Sequence, residues 1–153
     1  MNTDPGFTTI ELIILMVITS IIAASAMSLM LSPSLMQASG FANVLRQDLQ
    51  LTAALSISGN QRYRLVLGAN SYQILDQSGV AITLPETKTT TMSFPGGVTI
   101  SPTLTIAFDG EGKPYLYNAG TYTAIASSTQ VLSVASNPYT QSVNLTPQTG
   151  YVE

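Results

Sequence analysis

The chain has 153 residues, room for one modest domain and an appendage. Only 8% of residues are charged, 45% are hydrophobic, and a net charge of −3 with five basic side chains leaves no electrostatic footprint for nucleic acid. With no cysteine there is no thiolate metal site, and with no histidine the commonest general base is missing, so neither an enzyme nor a cofactor is expected.

The apolar residues concentrate in the first third. From Leu12 to Leu31 there are twenty residues without a charge, a glycine or a proline. As a helix this run would be ~30 Å long, the thickness of a bilayer's hydrocarbon core. It is apolar all round, which suits lipid or the inside of a helical assembly. From Leu35 to Ser58 the pattern changes: Phe41, Val44, Leu45, Leu49 and Leu55 recur at roughly helical spacing, with Arg46, Gln47, Asp48 and Gln50 between them. An amphipathic continuation of the helix is expected, open to kinking or division at Pro33 and Gly40 and stopped by Gly59-Asn60.

Three readings compete for the amino terminus. One is a plain signal anchor. A second is a secretory signal, for which Ala24-Ser25-Ala26 has the form of a cleavage site, although Asp4 and Glu11 precede the run with no Lys or Arg. The third starts from Glu11. A charge inside a membrane helix costs ~2.5–3.5 kcal/mol at the centre and less near the interface. No cation lies near Glu11 in sequence, so a charged partner is expected from another chain.

Gly6-Phe7-Thr8-Thr9-Ile10-Glu11-Leu12, followed by the apolar run, resembles the processing site of type IV prepilins and type II secretion pseudopilins. The resemblance implies cleavage by a prepilin peptidase between Gly6 and Phe7, N-methylation of Phe7, and an assembly role for Glu11. The Glu11 carboxylate would pair with the Phe7 amine of a neighbouring subunit, relieving two charges in apolar surroundings. Glycine before the cut lets the peptidase approach the backbone closely. Ser20, Ala24 and Ser28 recur every fourth residue, a small-residue stripe suited to close helix packing in a filament, though such residues are common in membrane helices anyway.

After Gly59 short β-branched or apolar runs alternate with turn signals. Strands are expected at 62–67, 72–75, 80–84, 89–94, 98–101, 104–108, 115–117, 124–135 and 142–146, as antiparallel hairpins in a sheet or sandwich covered by the amphipathic helix. Leu45-Arg46-Gln47-Asp48-Leu49-Gln50, Arg62-Tyr63-Arg64-Leu65-Val66-Leu67, the stretch from Leu104 to Gly112 and the closing stretch from Leu145 to Val152 look like GspH/FimT-type minor pilins and pseudopilins. The expected architecture is therefore α+β and pilin-like: a leader at 1–6, a membrane-spanning and filament helix at 7–58, and a periplasmic β-rich head at 59–153.

Within the head, Asp109-Gly110-Glu111-Gly112 reads as a hairpin turn with solvated acids, since two carboxylates are too few for a calcium loop. The serines and threonines lack a neighbouring base and are not credible nucleophiles. Tyr115, Tyr117, Tyr122 and Tyr139 suit a half-buried pleated surface or a partner-facing one. The resemblance implies a structural minor pilin of a type IV pilus, with other pilins, the peptidase, the inner membrane of a bacterium and its assembly platform as partners. A type II secretion pseudopilin, and a signal-anchored periplasmic binding module that never polymerises, are the alternatives.

Overall fold

The computed structural model describes residues 8–27, 32–125 and 129–153. Two compact units divide the chain, Met1–Ser32 and Pro33–Glu153. The first contains helix α1, Thr9–Met27, whose apolar residues from Ile10 to Ile22 all stand open to the surroundings. Among the described residues no helix is long and apolar enough to cross a membrane.

The second unit begins with helix α2, Pro33–Gly59. Proline suits a first helical position, where its missing N–H costs nothing and its fixed φ is already helical. Gly40 lies inside the helix with open space where a Cβ would stand, so it neither breaks nor packs the helix. The stop falls at Gly59-Asn60, as the sequence predicts. Asn60 adopts φ 45°, its N–H bonds to the Ile57 carbonyl at 3.3 Å, and the Gln61 N–H bonds to that of Ser56 at 3.3 Å. That pair of bonds satisfies carbonyls the last turn would otherwise strand.

One face of α2 is buried, at Ala38, Phe41, Ala42, Leu45, Asp48, Leu49, Thr52 and Ser56. Val44 and Leu55, expected on the apolar stripe, are only half-buried; Phe41, Leu45 and Leu49 follow it. Asp48 does not: read from the sequence as part of the solvated face, it is only 5% exposed. The Thr52 hydroxyl donates to the Asp48 carbonyl at 2.6 Å and the Ser56 hydroxyl to that of Thr52 at 3.0 Å, so both can be buried without an orphaned donor. Ser56 Oγ also accepts from the Tyr63 N–H at 3.1 Å, tying the end of the helix to the first strand.

Among the described residues nine strands follow: β1 (Tyr63–Leu67), β2 (Ser71–Leu75), β3 (Met92–Ser93), β4 (Val98–Ser101), β5 (Thr105–Phe108), β6 (Pro114–Asn118), β7 (Thr121–Ala124), β8 (Gln130–Ser136) and β9 (Tyr139–Leu145). They form a six-stranded sheet in the order β3-β2-β1-β5-β6-β7 and a three-stranded sheet in the order β4-β8-β9, with every pairing antiparallel. Alternation along each strand sends Leu65, Ile74, Ile106, Leu132 and Val143 into one core with Leu45 and Leu49 of α2. Burying each such side chain contributes ~1.5–3 kcal/mol before chain entropy is counted.

Three expected strands are corrected. Residues 80–84 form no strand beyond an isolated bridge from Leu75 to Ala81. There the chain closes a turn in which Asp76 Oδ1 accepts from the Val80 N–H at 2.8 Å. The expected 89–94 strand shrinks to Met92–Ser93, paired only with the start of β2. The long run at 124–135 belongs to two sheets: β7 ends at Ala124 beside β6, and β8 starts at Gln130 between β4 and β9.

The carboxyl-terminal residues return to the small sheet. The backbones of Asn144 and Glu153 exchange two hydrogen bonds, at 2.8 and 3.0 Å, and Gln50 Nε2 donates to the Val152 carbonyl at 3.3 Å. Gly150, at φ +64°, sits so close to the β5–β6 turn that a Cβ there would overlap the Gly112 carbonyl oxygen.

Candidate functional site

The start of α1 holds the first candidate group. Glu11 Oε2 accepts from the Thr8 N–H and from the Thr8 hydroxyl, both at 3.2 Å, and the Glu11 N–H donates to Thr8 Oγ1 at 3.3 Å. This is a reciprocal helix cap, in which threonine and a glutamate three residues later satisfy each other's backbone donors. The carboxylate also lies against the positive end of the helix dipole. Glu11 therefore has a neutral partner within its own chain, Thr8, besides the charged one expected from another chain. The Thr-x-x-Glu spacing was its visible signal.

Gly6 and Phe7, on which the cleavage reading falls, lie outside the described residues, as does Ser28. Ala24 lies on α1, with its side chain outside the described ones. The Ser20 hydroxyl donates to the Met16 carbonyl at 2.6 Å, and that of Thr19 to the Leu15 carbonyl at 2.8 Å. Bonds to the preceding turn let hydroxyls sit on an apolar helix without seeking water.

In the head, the acidic turn is a hairpin end. Asp109 Oδ1 accepts from the backbone N–H of Glu111 at 3.0 Å and of Lys113 at 2.9 Å, so its carboxylate is engaged in closing the β5–β6 turn. Among the described residues no group of three potential acidic, cysteine or histidine ligands comes together.

Three of the singled-out tyrosines are brought together; Tyr139 stands apart at the start of β9. Register carries Arg64 across Ala107 to Tyr115 and Ala124, and Val66 across Thr105 to Tyr117 and Tyr122. These residues share the sheet face opposite the core. The Arg62 guanidinium lies 4.4 Å from the Tyr122 ring centre, that of Arg64 lies 4.8 Å from Tyr117, and the Tyr117 and Tyr122 rings are 4.9 Å apart. Each cation–ring contact contributes ~0.5–1 kcal/mol at such a site. Ala107, in register between Arg64 and Tyr115, is fully buried.

A buried polar pair joins α2 to β2. The Tyr72 hydroxyl donates to Asp48 Oδ2 at 2.5 Å, and Tyr72 is 1% exposed. Burial pushes the Asp48 carboxyl up, the Tyr72 hydrogen bond draws it partly back, and the Glu86 charge adds to the rise. The Tyr72 phenol is pushed far up, by burial first and then by Asp48. Phe41 and Phe94 pack around the Tyr72 ring, with centroids 6.2 and 6.3 Å away. The pair thus fixes the helix on the sheet.

An apolar helix with a capped acidic start, a second helix laid across antiparallel sheets, and a head whose polar groups serve turns and packing define a pilin-like α+β fold. Solved structures give that fold a particular counterpart. Two crystal structures of the type IV minor pilin FimU from Pseudomonas aeruginosa superpose with TM-scores of 0.51 and 0.52, at 11% and 14% identity. Each match covers 75% of this chain, and 90% and 85% of the respective FimU chains. At such identity the likeness is one of fold. No protein-family model matches the sequence, and no curated protein matches it.

Proposed function

We propose that this chain is a structural minor pilin: a prepilin cut between Gly6 and Phe7, held in the inner membrane by its apolar helix, and assembled into a type IV pilus. The observation that carries this reading is the FimU-like fold joined to a Gly-Phe-Thr-Thr-Ile-Glu start. The open apolar surface of α1 supports it, because such a surface needs lipid or other helices as its surroundings. The apolar run extends through 28–31, beyond the described part of α1, and its full length matches a bilayer. The solvent face of α2 adds support: Met36, Gln37, Gly40, Asn43, Gln47 and Gln50 are exposed and uncharged, a neutral strip suited to lying against another subunit.

Glu11 has two tasks in this account. Within the subunit its Oε2 is held by Thr8, which keeps the carboxylate turned toward the start of α1. In the filament the same group meets the Phe7 ammonium of a neighbouring subunit. The head contributes packing and surface, not catalysis.

The test is incorporation. Sheared filaments from cells producing the native chain should contain it, and Glu11→Ala should be depleted from them while remaining in the membrane fraction. Equal incorporation of both forms would remove Glu11 from the mechanism. Absence of the native chain from every filament preparation would refute the pilin reading.

A further inference from the structure

The hairpin from β6 to β7 turns on Ala119 and Gly120, at φ 45° and 92°. Two central residues with positive φ make the two-residue type I′ turn, so the flanking Asn118 and Thr121 form a hydrogen-bonded pair. Pairs in an antiparallel ladder alternate. Leu116 with Thr123 is therefore bonded as well, while Tyr117 with Tyr122 and Tyr115 with Ala124 are not. The Tyr122 and Ala124 backbones accordingly aim their N–H and C=O groups away from β6. Since β7 is the last strand of its sheet, nothing among the described residues pairs with them. The strand carries no proline, charge or bulge to discourage another strand from adding there.

This open edge borders a cationic face. Tyr122 and Ala124 project their side chains onto the outer side of the sheet, the side that holds Arg64 and the rings of Tyr115 and Tyr117. Stacking on a ring occupies the flat faces of a guanidinium; its N–H groups lie in the plane and stay free to fork onto a carboxylate. Among the described residues no hydrogen bond or ion pair engages the guanidinium of Arg62 or Arg64. They are two of only five basic residues in the chain, and no acid stands on the strands of this face. Asp109, just beyond β5, has its Oδ1 closed onto the turn.

We propose that β7 accepts an extended segment of another protein, with carboxylates at alternate positions, as an added strand of the six-stranded sheet. A residue set opposite Tyr122 exchanges both backbone bonds with it and places its side chain on the outer face, about 5 Å from that of Tyr122. The Arg62 guanidinium stands 4.4 Å from the Tyr122 ring centre, within reach of a glutamate so placed. Backbone pairing supplies the affinity, and the arginines select an acidic segment over a basic one. The other edges lack this combination. β3 is two residues long, the β9 edge is already bonded to Glu153 through Asn144, and β4 has no charged residue.

The experiment uses the full chain in a non-ionic detergent and fluorescence anisotropy of labelled octapeptides, acetylated and amidated, that alternate glutamate with valine. Binding is expected with a dissociation constant on the order of 0.1 mM. Replacing the glutamates by lysines, or methylating alternate backbone nitrogens in both registers, should each weaken it at least about tenfold. Ala124→Pro removes one outward N–H and should weaken binding to a similar degree, because proline is tolerated on the open side of an edge strand. Arg62→Gln, at an exposed position, should do the same. Unchanged circular dichroism melts check that both variants fold, and the methylated peptides test the edge on the native chain alone. The proposal is overturned if the acidic peptide does not bind at about 1 mM, if the lysine or methylated peptides bind equally well, or if either variant binds like the native chain. Binding of this kind is read without filament assembly, so its failure leaves the pilin reading standing.

Discussion

Replacing Tyr72 by phenylalanine removes one oxygen and leaves the Asp48 carboxylate inside the head without its hydroxyl donor. The ring stays packed against Phe41 and Phe94, so the change isolates the polar interaction. With Asp48 charged, losing a hydrogen bond to an ionised group costs about 1.5–3 kcal/mol; with Asp48 protonated, the loss is that of a neutral bond, about 0.5–1.5 kcal/mol. The pH dependence follows from linkage. In the native chain burial holds the Asp48 carboxyl above its ordinary value of 3.8, and Glu86 adds to that, while Tyr72 opposes it. The folded state thus binds this proton more tightly than the unfolded state. The resulting stability is full below the unfolded value and is lost as pH rises through the folded one. Tyr72→Phe deletes the hydrogen bond that lowers the carboxyl, raises it further and widens that window. Urea denaturation followed by tyrosine fluorescence, unobscured because the chain has no tryptophan, measures both proteins at neutral pH and at about pH 3. The destabilisation should be about twice as large at neutral pH as in acid. An equal loss at both pH values, or no loss at either, would refute the assignment of Asp48 as a buried acid held by Tyr72.

Two further substitutions probe the packing that presents the head. Leu45→Ala empties a fully buried site between α2 and the sheets and should cost about 2–5 kcal/mol, read as a fall in the urea midpoint with little change in slope. Gly150→Ala should cost more than the usual glycine replacement, because φ +64° disfavours a side chain and the added methyl overlaps the Gly112 carbonyl. A loss of about 2 kcal/mol or more is expected, measured by thermal unfolding, and an unchanged melting temperature would mean that the tail does not press on the β5–β6 turn.

Local signals in the sequence were enough for much of this architecture. The Gly59-Asn60 stop, the hairpin at Asp109-Gly110-Glu111-Gly112 and the short apolar runs of β1 and β5 between turn signals each act within a few residues, where turn chemistry and strand propensity operate. What failed required the third dimension. Asp48 looks solvated in a helical pattern because its partner lies 24 residues away on another element. The run at 124–135 looks continuous because nothing in its composition says that its two ends join different sheets. The Arg62, Arg64, Tyr117 and Tyr122 cluster depends on the order β1-β5-β6-β7, in which the strand beside β1 is the fifth in the chain. The cap of Glu11 by Thr8 is the opposite case: it is local, with threonine and glutamate at a spacing of three, and involves no opposite charge.

The proposed role rests on a carboxylate at the head of an apolar helix meeting a new amino terminus created by cleavage. Mass spectrometry of the chain recovered from cells measures that terminus directly. The account predicts a mature protein beginning at N-methylated Phe7, with residues 1–6 gone. A chain that retains Met1, or one that begins at Met27 after removal of a secretory signal, would contradict it.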